Sequence, residues 1–132
     1  MLRASVFCIA SAILFAQTKP DTNVAIEAVV QKQVEAYNAH DIEAFVSFYA
    51  ADAQTIEFST GQIYDKSNAD IKIAYLELFK KFPNLKCKIK NRIIQGNYVI
   101  DQELITGTNV SEASATAIYY VKNGKISKVW FL

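Results

Sequence analysis

SATAIYYVK-NG-KISKVWFL, residues 114–132, holds two strand-like runs around Asn123-Gly124. A two-residue hairpin turn needs positive φ at both central positions, and Asn-Gly meets that demand with little strain. Ser114 to Lys122 and Lys125 to Leu132 are therefore read as an antiparallel pair. Moving towards the N-terminus, Gly107 to Ser111 forms a loop and Tyr98 to Thr106 another strand. Gly96-Asn97 makes a second turn, and Leu85 to Ile94 a further strand. In that last run Lys86, Lys88, Lys90 and Arg92 alternate with Leu85, Cys87, Ile89 and Asn91, which puts the basic residues on a solvated side.

Upstream of these strands the apolar period changes from two to between three and four. Thr22 to Ala39 carries Ala25, Ile26, Val29, Val30, Val34 and Tyr37 as one helical stripe, with Asp21 or Thr22 as cap. Asp41 caps a shorter helix bearing Ile42, Phe45, Val46 and Tyr49, which ends at Ala50-Ala51-Asp52. Ala53 to Phe58 is a strand, Ser59-Thr60-Gly61 a turn and Gln62 to Tyr64 a short return strand. Ser67-x-x-Asp70 opens a third helix with Ile71, Ala74, Tyr75, Leu78 and Phe82 inside, and Pro83 stops it. Helices first and antiparallel strands last make an α+β domain. Three N-terminal helices pack on a strongly curved, mainly antiparallel sheet, and the tapered space between them is a single apolar pocket.

Residues 1–16 read as a signal peptide. Arg3 gives a positive start, Ala4 to Phe15 is uncharged and largely apolar, and Ala16 is a small residue at the cleavage point. The apolar run is too short to span a bilayer, which takes about 20 residues. Residues 17–21 are a short linker and 22–132 the domain. The expected location is outside the cytoplasm, periplasmic or secreted, with no membrane attachment after cleavage. Loss of Arg3 lowers the 14 basic residues to 13, equal to the 13 acidic ones. That balance argues against a nucleic-acid partner. Cys8 lies in the leader, so Cys87 is left unpaired and packs as a small hydrophobe. One His and no Cys pair give no basis for a metal site, and no cofactor is expected.

Several strings in this order resemble the nuclear transport factor 2-like superfamily, which includes ketosteroid isomerases and SnoaL-like proteins. They are Val29-Val30-Gln31-Lys32 with Tyr37-Asn38-Ala39-His40-Asp41, and Phe48-Tyr49-Ala50-Ala51-Asp52-Ala53. Leu78-Phe79-Lys80-Lys81-Phe82-Pro83-Asn84-Leu85 follows, and then Asn123-Gly124-Lys125-Ile126 with Val129-Trp130. The resemblance implies a cone-shaped barrel with a ligand cavity and a homodimer formed through the outer sheet face. It also implies a general-base carboxylate late on the first strand, where Glu57 stands. The isomerases' Tyr and Asp oxyanion donors fall nearest Gln33 and Ile118. Ile118 has no hydrogen to donate, which weakens the case for steroid isomerisation.

Glu57 is thus the candidate catalytic residue, and Gln33, Tyr37, Tyr49, Tyr64, Tyr75, Tyr120 and Trp130 are the candidate ligand contacts, with Tyr119 a further possible wall. In an apolar cavity the Glu57 carboxyl would titrate above its ordinary range and suit proton transfer. Strand alternation also allows the opposite, with Ile56 and Phe58 inward and Glu57 in solvent. Asp41 is read first as a helix cap and His40 as a turn residue, the alternative being a catalytic pair. Asp101 and Glu103 share one strand side, expected to face solvent. Two functional classes follow. One is an exported protein that binds a small apolar molecule. The other is a cofactor-free isomerase, cyclase or dehydratase on a small apolar carbonyl compound. A carboxylic acid meeting a Tyr or His donor inside the cavity is the feature that separates them.

Overall fold

The computed structural model describes residues 22–132, so the leader and the linker expected over 1–21 lie outside the described residues. Helix α1 (Asn23–Ala39) begins where Thr22 Oγ1 accepts from the Ala25 N–H at 3.3 Å. Its buried stripe holds Ile26, Val30, Val34 and Tyr37 as the period required, and Gln33 lies among them. His40 closes it in the left-handed conformation with φ 53°. Asp41 caps α2 (Ile42–Ser47), its carboxylate accepting from the Ala44 N–H at 3.0 Å. Phe45 from α2 is fully buried. Ser67 caps α3 (Asn68–Lys81) by accepting from the Asp70 N–H at 3.1 Å.

The six strands are β1 (Tyr49–Glu57), β2 (Ile63–Asp65), β3 (Lys86–Gln95), β4 (Tyr98–Thr106), β5 (Ala113–Lys122) and β6 (Lys125–Phe131). They form one sheet in the order β2-β1-β6-β5-β4-β3, open at β2 and β3. Pairing is antiparallel except between β1 and β6, which run parallel. The sheet is therefore mixed but mainly antiparallel, with three helices on it. The Asn123-Gly124 turn has φ 53° and 71°, the positive pair that a tight hairpin requires.

Two local expectations change. Tyr49 and Ala50 belong to β1, not to α2. The Phe48 carbonyl accepts from the Ile126 N–H at 2.8 Å, and Tyr49 pairs with Ile126. Pairing with the last strand takes the chain out of helix two residues early. In β3 the basic alternation breaks at a bulge. Ile89 faces Glu103 and Asn91 faces Gln102, so Lys90 is the extra residue. Every side chain after Lys90 changes face. Arg92 turns inward, opposite Asp101, and Ile93 outward, where it is 53% exposed.

Asn38 secures the free edge of the sheet. Its amide donates to the Cys87 carbonyl at 2.8 Å and accepts from the Cys87 N–H at 2.7 Å, as a neighbouring strand would. His40 is a structural residue. Its ring stacks on Phe79 with centroids 4.5 Å apart, and Nε2 lies 2.8 Å from the Leu85 carbonyl. With Asp41 held as a cap, the two do not form a catalytic pair.

Candidate functional site

The inner face of β5 is Ala113, Ala115, Ala117, Tyr119 and Val121. Three alanines in a row leave a space that larger residues would fill. Ala117 lies opposite Asp101 and Ala115 opposite Glu103. The inner face of β4 is accordingly Val99, Asp101, Glu103 and Ile105, and the two acids are 0% and 7% exposed. This corrects the solvent-facing expectation for both. The apolar residues of β4 lie on both faces, with Val99 and Ile105 inward. Tyr98, Ile100 and Leu104 go outward.

Asp101 is neutralised in place. Arg92 Nε and Nη2 donate to its two carboxylate oxygens, each at 2.7 Å. Arg92 Nη1 donates to Gln31 Oε1 at 3.0 Å and lies 3.8 Å from Glu27 Oε1, which ties the pair to α1. A paired, forked contact of this kind is what a fully buried carboxylate requires.

Glu103 has no such cation. It lines a cavity of about 160 Å³ together with Gln33, Val34 and Tyr37 of α1 and Tyr75 and Leu78 of α3. Cys87, Ile105, Ala115, Tyr119 and Phe131 complete the wall. Tyr119 Oη donates to Glu103 Oε1 at 2.9 Å. Burial pushes the carboxyl up, Tyr119 pulls it back, Asp101 adds to the rise and Arg92 opposes it, leaving the carboxyl at about 7. Tyr37, Tyr75 and Tyr119 are all pushed up by burial, so they stay protonated and able to donate. Burial also pushes the Cys87 thiol up to about 12, which keeps it an unreactive wall residue. The cavity therefore holds an acid poised to gain or lose a proton near neutrality, fixed by a phenol donor.

Of the ligand contacts and walls read from sequence, Gln33, Tyr37, Tyr75 and Tyr119 come together here. The others do not. Tyr49 is buried against Phe45, with centroids 5.2 Å apart, outside the cavity wall. Tyr64 is 53% exposed on β2. Tyr120 and Trp130 lie on the outer sheet face around Tyr98, with centroids 5.0 and 6.4 Å from it. Ile118 is on that outer face too, paired with Ile100 and Trp130, so it is no oxyanion position.

Glu57 is overturned as a cavity base. It shares a strand face with Ala53 and Thr55 but stands at the end of β1, beyond the helices' cover. Its carboxylate accepts from Thr60 Oγ1, Ser59 Oγ and the Thr60 N–H, each at 2.7 Å. The Thr60 and Ser59 hydrogen bonds hold its carboxyl down at about 2, opposite to the rise expected of a buried base. Among the described residues no group of His, Cys, Asp and Glu could hold a metal ion, and no helix is long and apolar enough to cross a membrane.

The family described as SnoaL-like domain matches residues 30–129. Among curated proteins no sequence matches. Among solved structures, an uncharacterized cystatin fold protein from Novosphingobium aromaticivorans is 24% identical, with 82% of this chain and 97% of that one covered at a TM-score of 0.74. A SnoaL-like protein of unknown function from Burkholderia thailandensis is 15% identical, covering 86% and 98% at 0.72. A hypothetical protein with a ketosteroid isomerase-like fold from Catenulispora acidiphila, in complex with trimethylamine, is 13% identical, covering 79% and 83% at 0.67. At these identities the likeness is one of fold.

Proposed function

The chain belongs to the SnoaL-like domain family, and from that premise we propose that it is a small-ligand protein whose cavity performs cofactor-free acid/base chemistry through Glu103. The observation that carries the reading is the Tyr119–Glu103 hydrogen bond inside an otherwise largely apolar cavity. A carboxyl held at about 7 exchanges a proton with a carbon acid at little cost in either direction near neutral pH. Tyr119 fixes which oxygen is free. The reaction class is proton transfer next to a carbonyl, as in isomerisation, cyclisation or dehydration. Apolar walls from Val34, Leu78, Ile105 and Phe131 would select an uncharged compound.

The test uses ring ketones, cyclohexanone and cyclohexenone, in deuterated water, with exchange of the protons next to the carbonyl followed by NMR. The expected result is exchange that rises through pH 7 as Glu103 ionises and falls about 10²- to 10⁴-fold in Glu103→Gln. Exchange that persists in Glu103→Gln, or a Glu103 carboxyl titrating near the solvated value of about 4.3, would defeat the reading. Binding without catalysis is the second reading, favoured by one observation. Gln33 and the outward Ile118 give no strong pair of donors for an enolate oxygen.

Export after loss of residues 1–16 and pairing of two copies through the outer sheet face belong to the same proposal. Exposed Ile93 and Tyr98, beside the partly buried Tyr120 and Trp130, make that face apolar and aromatic enough to pair. Light scattering on the purified domain reads the second point, and a monomer at micromolar concentration counts against it.

A further inference from the structure

Tyr119 donates to one oxygen of Glu103, and another polar group of the same cavity is buried with no partner at all among the described residues. Gln33 is 4% exposed, lines the cavity from α1, and its Oε1 is buried with no hydrogen-bond donor among the described residues. A buried acceptor without a donor is costly, and folded proteins keep few of them. The terminal torsion of a Gln side chain is broad, so rotation of the amide brings this oxygen to a ligand in the cavity that Gln33 lines. The resemblance to the isomerases would have this position donate to a carbonyl oxygen. The orphaned atom is an acceptor instead.

We infer that Gln33 Oε1 receives a hydrogen bond from the ligand, so the cavity takes a compact, uncharged ring compound with an O–H or N–H group on its edge. Three features define that class. The volume of about 160 Å³ matches a single six-membered ring, since an apolar cavity of about 150 Å³ holds benzene. Among the described residues no Lys, Arg or His lines the wall, so an anionic substituent would be buried without a counter-charge. Gln33 and Glu103, with the phenols of Tyr37 and Tyr75, supply polar points on a largely apolar surface, which orients a ring by its edge. The inference rests on the acid/base reading for the site, but not on any proton moving there.

Phenol and toluene have nearly the same shape and differ in the donor. A cavity with no free acceptor prefers toluene, because phenol must shed its hydration to enter. Dissociation constants are read by NMR on the full chain at pH 6, for the wild type, Gln33→Met, Gln33→Leu and Glu103→Gln. The expected result is phenol bound about tenfold tighter than toluene in the wild type, equivalent to about 1.4 kcal/mol. The order is expected to reverse in both Gln33 variants and to survive in Glu103→Gln. Toluene binding by the Gln33 variants shows that their cavity is intact. A wild type that prefers toluene, a preference lost only in Glu103→Gln, or failure of both probes to bind overturns the inference. Failure of the acid/base reading appears elsewhere, as a normal Glu103 titration or ketone exchange unaffected by its removal.

Discussion

Glu103 and Glu57 are the same side chain at two ends of the sheet's inner face, and they have opposite chemistry. Glu57 sits at a strand end, where a turn surrounds it with the Ser59 and Thr60 hydroxyls and the Thr60 N–H. Every one of those groups donates, so the ionised form is favoured. Glu103 sits mid-strand under two helices, with one donor, an apolar wall and another acid two residues away. There the carboxyl is held at about 7, so its neutral and ionised forms coexist near physiological pH. A base that is buried and not directly paired with a cation has the affinity to take a proton from carbon, whereas one saturated with donors does not. Position within the sheet, not residue type, separates a candidate catalyst from a turn-former.

The sharpest way to break this comparison is to disturb the charge beside Glu103. Arg92 compensates the fully buried Asp101 through two 2.7 Å bonds. Arg92→Met leaves Asp101 buried without a partner, and chemical denaturation should show a loss of about 3–5 kcal/mol. Changing Asp101→Leu in the same chain should restore most of it, because a buried pair replaced by apolar groups is often neutral. Arg92 also opposes the rise of Glu103, so Asp101 retained without Arg92 moves the Glu103 titration further up. If Arg92→Met is as stable as the wild type, Asp101 does not need its partner, and the charge balance drawn around Glu103 is wrong.

The next effect belongs to Glu103 itself. Its carboxyl sits at about 7 when folded against an ordinary 4.5, so the folded chain binds this proton more tightly than the unfolded chain. Its contribution to stability is complete below about pH 4.5 and is lost as pH rises through about 7. The change is on the order of 3 kcal/mol across that window. Glu103→Gln has no proton to lose, so the difference between its unfolding profile and the wild type's should carry this slope. Parallel profiles from pH 4 to 8 would mean that Glu103 is solvated like Glu57.

The elements were largely legible from periodicity, caps and turns. Thr22, Asp41 and Ser67 cap the helices where a cap was expected, and Asn123-Gly124 turns the last hairpin. The family resemblance also pointed to Gln33 on the right helix. The decisive carboxylate was not read, for a physical reason. Strand parity was carried along β3 through Lys90, where a bulge reverses it, and β4 offers apolar residues on both faces. One signal was present. Arg92 and Asp101 lie equally far from the Gly96-Asn97 turn, which makes them cross-strand partners in a simple hairpin. A paired Asp101 inside would have carried Glu103, two residues on, to the same side. Tyr120 and Trp130 were misplaced because aromatic residues suit an outer sheet face as well as a pocket.

The smallest effect is expected at Glu57, and its smallness is informative. Thr60 and Ser59 hold its carboxyl at about 2, below the ordinary 4.5, so its contribution to stability is present above about pH 4.5 and lost as pH falls through about 2. Between pH 5 and 8 it stays ionised and contributes no slope. Glu57→Gln should therefore leave phenol binding, ketone exchange and the pH dependence of stability over that range unchanged. Any difference should emerge in acid, where the wild type loses the turn's hydrogen bonds to a carboxylate and the variant has none to lose. Unfolding midpoints at pH 7 and pH 3 compare the two directly, and the wild type should fall further between them. Loss of ketone exchange in Glu57→Gln would reverse the assignment, because it would place the working carboxylate at the end of β1 after all.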